Sequence, residues 1–354
     1  MKPHSGNKYL VTGAMSGTSL DGLDMAASEF LYLDNKWNLS IRAAETVGYS
    51  PEWEEKLKSA PALSGQELME LHNDYGRFIG GQINLFLQKH RLTPDLIASH
   101  GHTVFHRPEK GFTFQIGNGA CIAAETGITT IADFRTGDVA LGGQGAPLVP
   151  VGDRLLFPEY ESCLNLGGFA NISFGQKGKR IAFDVCPVNY ILNELAQKLG
   201  KPYDENGHLG QQGNVNTDLL NKLNQLEFYR QVPPKSLGRE WVETYFLSVT
   251  DATEISHSDK LRTIYEHIAI QVARAVPGTQ KMLVTGGGAF NVFLLERLRE
   301  HLKCDIIIPP AQIIHFKEAL VFAFLGLLRY LGEINCLASV TGAKRDSSTG
   351  VLYS

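Results

Sequence analysis

The stretch MSGTSLDGLD, residues 15–24, crowds Ser16, Gly17, Thr18, Ser19, Asp21, Gly22 and Asp24 into one turn between two apolar runs. A plain reversal needs only one or two turn residues. Hydroxyls and backbone N–H groups in such a loop suit phosphate oxygens, while Asp21 and Asp24 suit a divalent cation held through water. A second loop, LNLGGFANIS at 164–173, offers Asn165, Gly167 and Gly168, where missing Cβ atoms let the backbone come close to a ligand. A third, VTGGGAFN at 284–291, sets Gly286, Gly287, Gly288 and Asn291 between an apolar run and a helix start with free N–H groups. Three such loops in matching places predict a nucleotide site. None has the GxxxxGKS/T or GxGxxG spacing, which points to another class of ATP binder.

Acid and base chemistry has fewer candidates. Asp184 closes the run RIAFD just before Pro187, where it reads either as a general base or as a helix cap. Lys317 and Glu318 sit at the start of a long apolar helix, and a solvated first turn is the plain alternative to a site role. SHGHTVFHRP at 99–108 holds His100, His102, His106 and Arg107. Strand alternation puts the three histidines on one side, yet no carboxylate or cysteine completes a zinc set. ADFRTGDVALGGQGAPLVP at 132–150 holds Asp133, Arg135 and Asp138, which suit an ion-paired turn or ligand contact. Its Gly142, Gly143 and Gly145 suit a hinge, and Gln144 a sugar hydrogen bond. In PPKSLGRE at 233–240, Lys235, Ser236 and Arg239 either meet a sugar or fix the loop.

The elements that position these residues follow from periodicity. Apolar and β-branched runs at 8–14, 24–32 and 37–47 predict a three-strand meander. A helix over 64–90 follows, with Ser64 and Glu67 spaced as a capping box, then strands at 95–99, 112–116 and 128–132 around a helix at 119–126. The second half repeats this grammar with strands at 162–167, 171–175 and 180–184, then a helix opened by Pro187 and stopped at Gly200. Helices near 258–274 and 291–302 alternate with strands at 281–285 and 304–308, and a last helix runs from about 315 to 331. This pattern predicts two related α/β domains facing each other across a cleft, 1–135 and 136–354, with the last helix able to pack back across the boundary.

Composition narrows the class. The 354 residues, 43% hydrophobic, suffice for two cores, and a net charge of -4 gives no general attraction to nucleic acid or an anionic membrane. No apolar stretch approaches a membrane span of ~20 residues, and the N-terminal residues lack a secretory core. The five cysteines are scattered without a CxxC spacing and read as reduced thiols. The expectation is a cytoplasmic protein with small-molecule partners, no nucleic acid and no membrane.

MSGTSLDGLD, SHGHTVFHRP, FQIGNG, ADFRTGDVALGGQGAPLVP, LNLGGFANIS, PKSLGRE, VTGGGAFN and KEALVFAFLG, in order from residue 10 to about 343, resemble the anhydro-N-acetylmuramic acid kinases of the actin, sugar kinase and Hsp70 superfamily. The resemblance implies two actin-like, ribonuclease H-like domains around a cleft, use of ATP and Mg, and a homodimer. It also implies an activity: 1,6-anhydro-N-acetylmuramic acid and water are converted to N-acetylmuramic acid 6-phosphate as ATP becomes ADP, in peptidoglycan recycling. By resemblance, Asp184 is the general base, Glu318 reaches the active site, and Asp21 serves the metal. His102, Arg107, Gln144 and Asn189 line the sugar site, Arg107 being suited to the lactyl carboxylate. The family's FDxxPxN context is kept, but Cys186 and Val188 replace its glycines, which implies a reshaped pocket wall. Asn118 and Asn193 stand where aspartates are common.

Overall fold

β1 (Lys8–Ser16), β2 (Leu23–Leu33) and β3 (Lys36–Val47) form the antiparallel meander expected from their apolar runs. The computed structural model describes residues 4–17, 19–276 and 278–354, so Thr18 lies outside the described residues. After α1 (Pro51–Ser59), which the pattern did not reveal, α2 (Gly65–His90) starts at the predicted capping box. Glu67 N donates to Ser64 Oγ at 3.3 Å, and Ser64 N donates to the Glu67 carboxylate at 2.9 Å. Loss of such a cap costs about 1 kcal/mol, so Ser64→Ala is expected to lower the urea midpoint by a matching amount. One stripe of α2, including Leu71, Tyr75, Ile79, Ile83 and Phe86, is buried in the core under the sheet.

β4 (Leu96–Arg107) runs parallel to β1 and continues well past residue 99, because β5 (Phe112–Ile116) pairs with its second half. After α3 (Gly119–Thr126), β6 (Thr130–Ala132) pairs parallel to β4. Two short helices, α4 (Thr136–Ala140) and α5 (Pro150–Leu156), finish the first stretch of this unit.

A second unit, Pro158–His315, begins with β7 (Ser162–Leu166), β8 (Phe169–Gln176) and β9 (Lys179–Pro187). It continues with α6 (Asn189–Lys198), α7 (Thr217–Asn224), α8 (His257–Ala275), β10 (Lys281–Thr285), α9 (Val292–His301) and β11 (Asp305–Ile307). Its sheet order, β11-β10-β7-β8-β9, matches β6-β4-β1-β2-β3 in the first unit. Directions match too: each unit has an antiparallel meander followed by two strands parallel to its first. This repeated order is the ribonuclease H-like layout the resemblance implied. Leu164 and Ile172 from the sheet, Ile191 and Leu195 from α6, and Ile264 and Ile268 from α8 share one core. Pro187 ends β9 instead of opening α6, so Asp184 lies within a strand and is not a helix cap.

The chain then returns to the first unit, which comprises Met1–Phe157 and Phe316–Ser354. α10 (Ala311–Leu331) starts before the expected residue 315, and its helical geometry breaks at Phe316, where φ is -112°. Beyond the break it lies against the sheet so closely that a Cβ on Gly13 would collide with the Ala319 carbonyl, and one on Gly326 would sit 2.5 Å from Ala98 Cβ. Contrary to the expectation from the sequence, α10 is long and apolar enough to cross a membrane. It is mostly buried in the protein, as a core helix is. β12 (Val351–Tyr353) finally pairs antiparallel to β6.

The unit boundary therefore falls after residue 157 and not at 135, and the C-terminal 39 residues from Phe316 belong with the first unit. Polar contacts explain the shift. Fully buried Asp138 accepts hydrogen bonds from Gly145 N at 2.8 Å, Thr341 Oγ1 at 2.8 Å and Cys336 Sγ at 3.1 Å. Buried Lys317 on α10 pairs with Asp153 on α5 at 2.8 Å.

Candidate functional site

In the first unit, the end of β1 lies opposite the middle of β4. Ala14 is opposite Ser99 and Ser16 opposite His102, so one residue of β1 faces two of β4. This bulge holds Gly101 at φ +72°, where a Cβ would collide with the Ile116 carbonyl. A second irregularity follows between Thr103 and Phe105. Simple alternation is lost, and the three histidines do not act as one set. His102 Nδ1 lies 2.9 Å from Ser16 Oγ, His100 Nε2 accepts from Arg135 Nε at 2.9 Å, and exposed His106 contacts Thr113 Oγ1 at 3.1 Å. Among the described residues, no three His, Cys, Asp or Glu side chains gather as a metal cage.

Ser16 itself is buried, its hydroxyl also accepting from Tyr49 OH at 2.7 Å, so its side chain does not project freely toward a phosphate. Gly17 is half-buried, while Ser19 and Asp21 are exposed beside a recess of about 580 Å³ that Leu20, Tyr49, Glu54 and Lys58 also line. Gly22, at φ +151°, answers a packing need: a Cβ there would lie 2.5 Å from the Val47 carbonyl oxygen. Asp24 accepts from Thr46 Oγ1 at 2.5 Å. Arg107 is exposed at the β4–β5 hairpin, and exposed Gln144 is held by its backbone N–H, which donates to Thr341 O at 2.8 Å.

Asp133, Arg135 and Asp138 do not form the ion-paired turn. Asp133 accepts from Thr136 N at 3.4 Å, and Arg135 Nη1 donates to Gly145 O at 2.7 Å, while Asp138 is engaged as described above. Burial pushes the Arg135 pKa down to about 10. Glu318 follows the helix break directly, not the helix start, and its side chain keeps access to solvent. Protein crowded around it nevertheless desolvates the carboxyl and raises its pKa, an effect Arg135 opposes and Asp24 reinforces.

In the second unit, Ala170 faces Cys186 and Asn171 faces Asp184, leaving Val185 as the extra residue of a bulge. Half-buried Asp184 is gripped by the 233–238 loop: its N–H donates to Lys235 O at 3.1 Å, and its Oδ2 accepts from Leu237 N at 2.8 Å. Burial raises its pKa, partly offset by the Leu237 N–H. The Lys235 side chain turns instead to the Phe228 ring, 4.4 Å from its centroid, and exposed Arg239 pairs with Glu243 at 2.6 Å. Both give the loop a fixing role.

The glycine loops of this unit meet. A Cβ on Gly286, at φ +82°, would fall 2.7 Å from the Leu166 carbonyl, and one on Gly287 would be 3.4 Å from Asn189 Nδ2. Asn189 braces the junction, with its N–H on Gly167 O at 3.2 Å and its Nδ2 on Leu166 O at 3.1 Å. Asn165 is half-buried, Gly168 and Gly287 are exposed, and Gly288 packs so tightly that a Cβ would sit 2.7 Å from Leu166 Cβ. Asn291 also has structural partners. Its Oδ1 caps α9 through Leu294 N at 2.9 Å and its Nδ2 donates to Tyr265 OH at 2.8 Å, committing both ends of the amide. Cys186 and Val188 are fully buried, and their side chains fill the core. Asn118 likewise caps α3, accepting from Ala120 N at 2.9 Å.

A family model described as anhydro-N-acetylmuramic acid kinase matches residues 9–354. The chain belongs to the anhydro-N-acetylmuramic acid kinase family. Relatives bearing that name include proteins of Vibrio cholerae, 38% identical with 98% of each chain covered, and Mannheimia succiniciproducens, 37% identical with 98% of this chain and 99% of the relative covered. The Microcystis aeruginosa relative is 34% identical over 97% of this chain and 100% of its own. Among solved structures, a ROK hexokinase from Thermus thermophilus has a TM-score of 0.43 at 13% identity, covering 91% of this chain and 100% of that one.

For an anhydro-N-acetylmuramic acid kinase, the groups missing from the sequence reading are those that orient its site residues. Leu237 contributes a backbone N–H, which no side-chain pattern advertises. Tyr49 and Tyr75 belong to no motif, and only the fold brings their hydroxyls within 2.6 Å of each other, next to Ser16. Arg135 was in view, but its partner His100 is 35 residues away in sequence.

Proposed function

We propose that this protein uses ATP and water to convert 1,6-anhydro-N-acetylmuramic acid to N-acetylmuramic acid 6-phosphate, with release of ADP, as a cytoplasmic homodimer in peptidoglycan recycling. The observation that carries this reading is Asp184: a desolvated carboxyl, fixed by Leu237 N–H, in the same unit as two converging glycine loops. Asp184 accepts a proton from the water that attacks the anomeric carbon. The bond from that carbon to O6 breaks, and O6 forms a bond to the γ-phosphorus as the bond to ADP breaks. Backbone N–H groups at Gly168, Gly287 and Ser19 hold phosphate oxygens, where positioning and charge neutralisation dominate.

Mg²⁺ fits the donor set, since it takes only one or two carboxylates beside phosphate oxygens, and exposed Asp21 and half-buried Asp24, three residues apart at the turn into β2, supply them. The ion would neutralise phosphate charge. His102, Arg107, Gln144 and Asn189 bind the sugar in this reading, and Glu318, in the first unit with Arg135, is its second catalytic residue.

Product mass spectrometry in heavy-oxygen water tests the function. One heavy oxygen on the anomeric carbon of a phosphorylated sugar is the expected result; a phosphorylated product without it, or no sugar-dependent ADP, sinks the coupled reaction. The pH dependence gives a further expectation. Since burial raises the Asp184 pKa, its basic form is lost as pH falls at a higher pH than for an ordinary aspartate. The acid limb of kcat/KM should therefore lie at higher pH than an ordinary aspartate gives, and a limb no higher than that would remove Asp184 as the titrating base.

A further inference from the structure

Tyr75, Tyr49, Ser16 and His102 form a buried chain of hydrogen bonds, of which the reaction as described uses only His102. Successive separations are 2.6 Å between the tyrosine hydroxyls, 2.7 Å from Tyr49 OH to Ser16 Oγ and 2.9 Å from Ser16 Oγ to His102 Nδ1. All four residues are at least nine-tenths buried, with exposures of 0%, 8%, 1% and 5%. Their protons can be counted. Tyr49 gives its single proton to Ser16, so the proton between the tyrosines comes from Tyr75. Ser16 then has one proton left to donate, and His102 Nδ1 is the acceptor beside it. A buried hydroxyl that failed to donate would waste a hydrogen bond. Nδ1 is therefore bare and the ring proton sits on Nε2.

Nε2 makes no hydrogen bond to the described residues, and it is not among the enclosed polar atoms lacking a partner. An otherwise buried ring thus offers one N–H outward, midway along β4 and opposite the end of β1, beside the first glycine loop. We propose that Tyr75, Tyr49 and Ser16 are positioning residues that lock His102 as a neutral Nε2–H donor, and that this donor recognises an uncharged oxygen of the sugar substrate. The proposal rests on the sugar-binding reading above. Charging the ring would put a second donor on Nδ1, facing a serine already oriented to donate, so the chain opposes protonation. Burial acts in the same direction, lowering the pKa of His102 and raising those of both tyrosines.

The test is nitrogen NMR on the ligand-free full-length protein with labelled histidine, His102 being assigned by comparison with His102→Gln. The expected spectrum at neutral pH has a bare Nδ1 and a protonated Nε2. A protonated Nδ1 or a charged ring overturns the proposal, whatever the enzyme does. Adding the anhydro sugar should shift the Nε2 proton; if the wild type turns the sugar over while that signal stays unmoved, the donor role falls. Tyr49→Phe cuts the chain, so its Nδ1 signal should move toward that of a freely exchanging ring. Its sugar KM should rise about tenfold, the size of one lost hydrogen bond, with kcat and the ATP KM little changed. A spectrum and sugar KM unchanged in Tyr49→Phe would also overturn it. Absence of sugar turnover by the wild type would instead remove the proposed function, leaving the ligand-free spectrum to decide the proton order.

Discussion

Asp184→Asn is expected to reduce turnover by at least two to four orders of magnitude, the usual contribution of a positioned general base, while nucleotide binding persists. The substitution preserves shape, and an amide oxygen can accept the Leu237 N–H that Asp184 Oδ2 accepts at 2.8 Å. What disappears is the capacity to take the proton of the attacking water. The sign of the stability change separates this from unfolding. A carboxyl whose pKa is raised in the folded state is held there at a cost when charged, so folding is favoured as pH falls through the raised value. At neutral pH the uncharged asparagine avoids that cost, and the variant should melt no lower than the wild type. Single-turnover assays, calorimetry and titration with a non-hydrolysable ATP analogue check the three parts. Near-normal turnover would remove Asp184 from the mechanism.

Lys317→Met should have the largest effect on stability. The ammonium lies 2.8 Å from Asp153 Oδ1, and the two side chains are only 8% and 5% exposed. Removing one partner of such a pair costs about 3–5 kcal/mol, because the remaining charge stays in a medium that solvates it poorly. The pair ties α5 to α10, so the loss should appear as an earlier urea transition of the first unit. Replacing both partners, as in Asp153→Leu with Lys317→Met, should recover much of the stability, since no buried charge is then left over. If the single variant unfolds with the wild type, the pair carries little of the unit's stability.

Local signals explain how far the sequence could be read. The two meanders, α2 with its Ser64–Glu67 box and the glycine turns follow from residue types a few positions apart, and those elements appear where expected. The bulges at Gly101 and Val185 do not, because the register of a strand depends on partners far along the chain. That is why parity grouped three histidines that the fold sends to different partners. Asn291 and Asn118 illustrate a second limit. An asparagine before a helix can face a ligand or cap the helix, and only the positions of neighbouring N–H groups distinguish the two. The family resemblance supplied roles for Asp184 and Glu318 that spacing alone left open, while the burial of Cys186 and Val188 shows only in the fold.

The division of the first unit into two separated stretches also bears on how the protein is made. β6 receives its β12 partner, Asp138 its Thr341 hydroxyl and Asp153 its Lys317 ammonium only from residues beyond 315. Domains generally fold as units while the chain emerges from the ribosome. Here the second unit is continuous and is fully synthesised before the first unit has all its parts. The part of the protein translated first must therefore wait longest to complete its core, holding an open sheet edge and two acidic side chains in reserve until the last helix arrives.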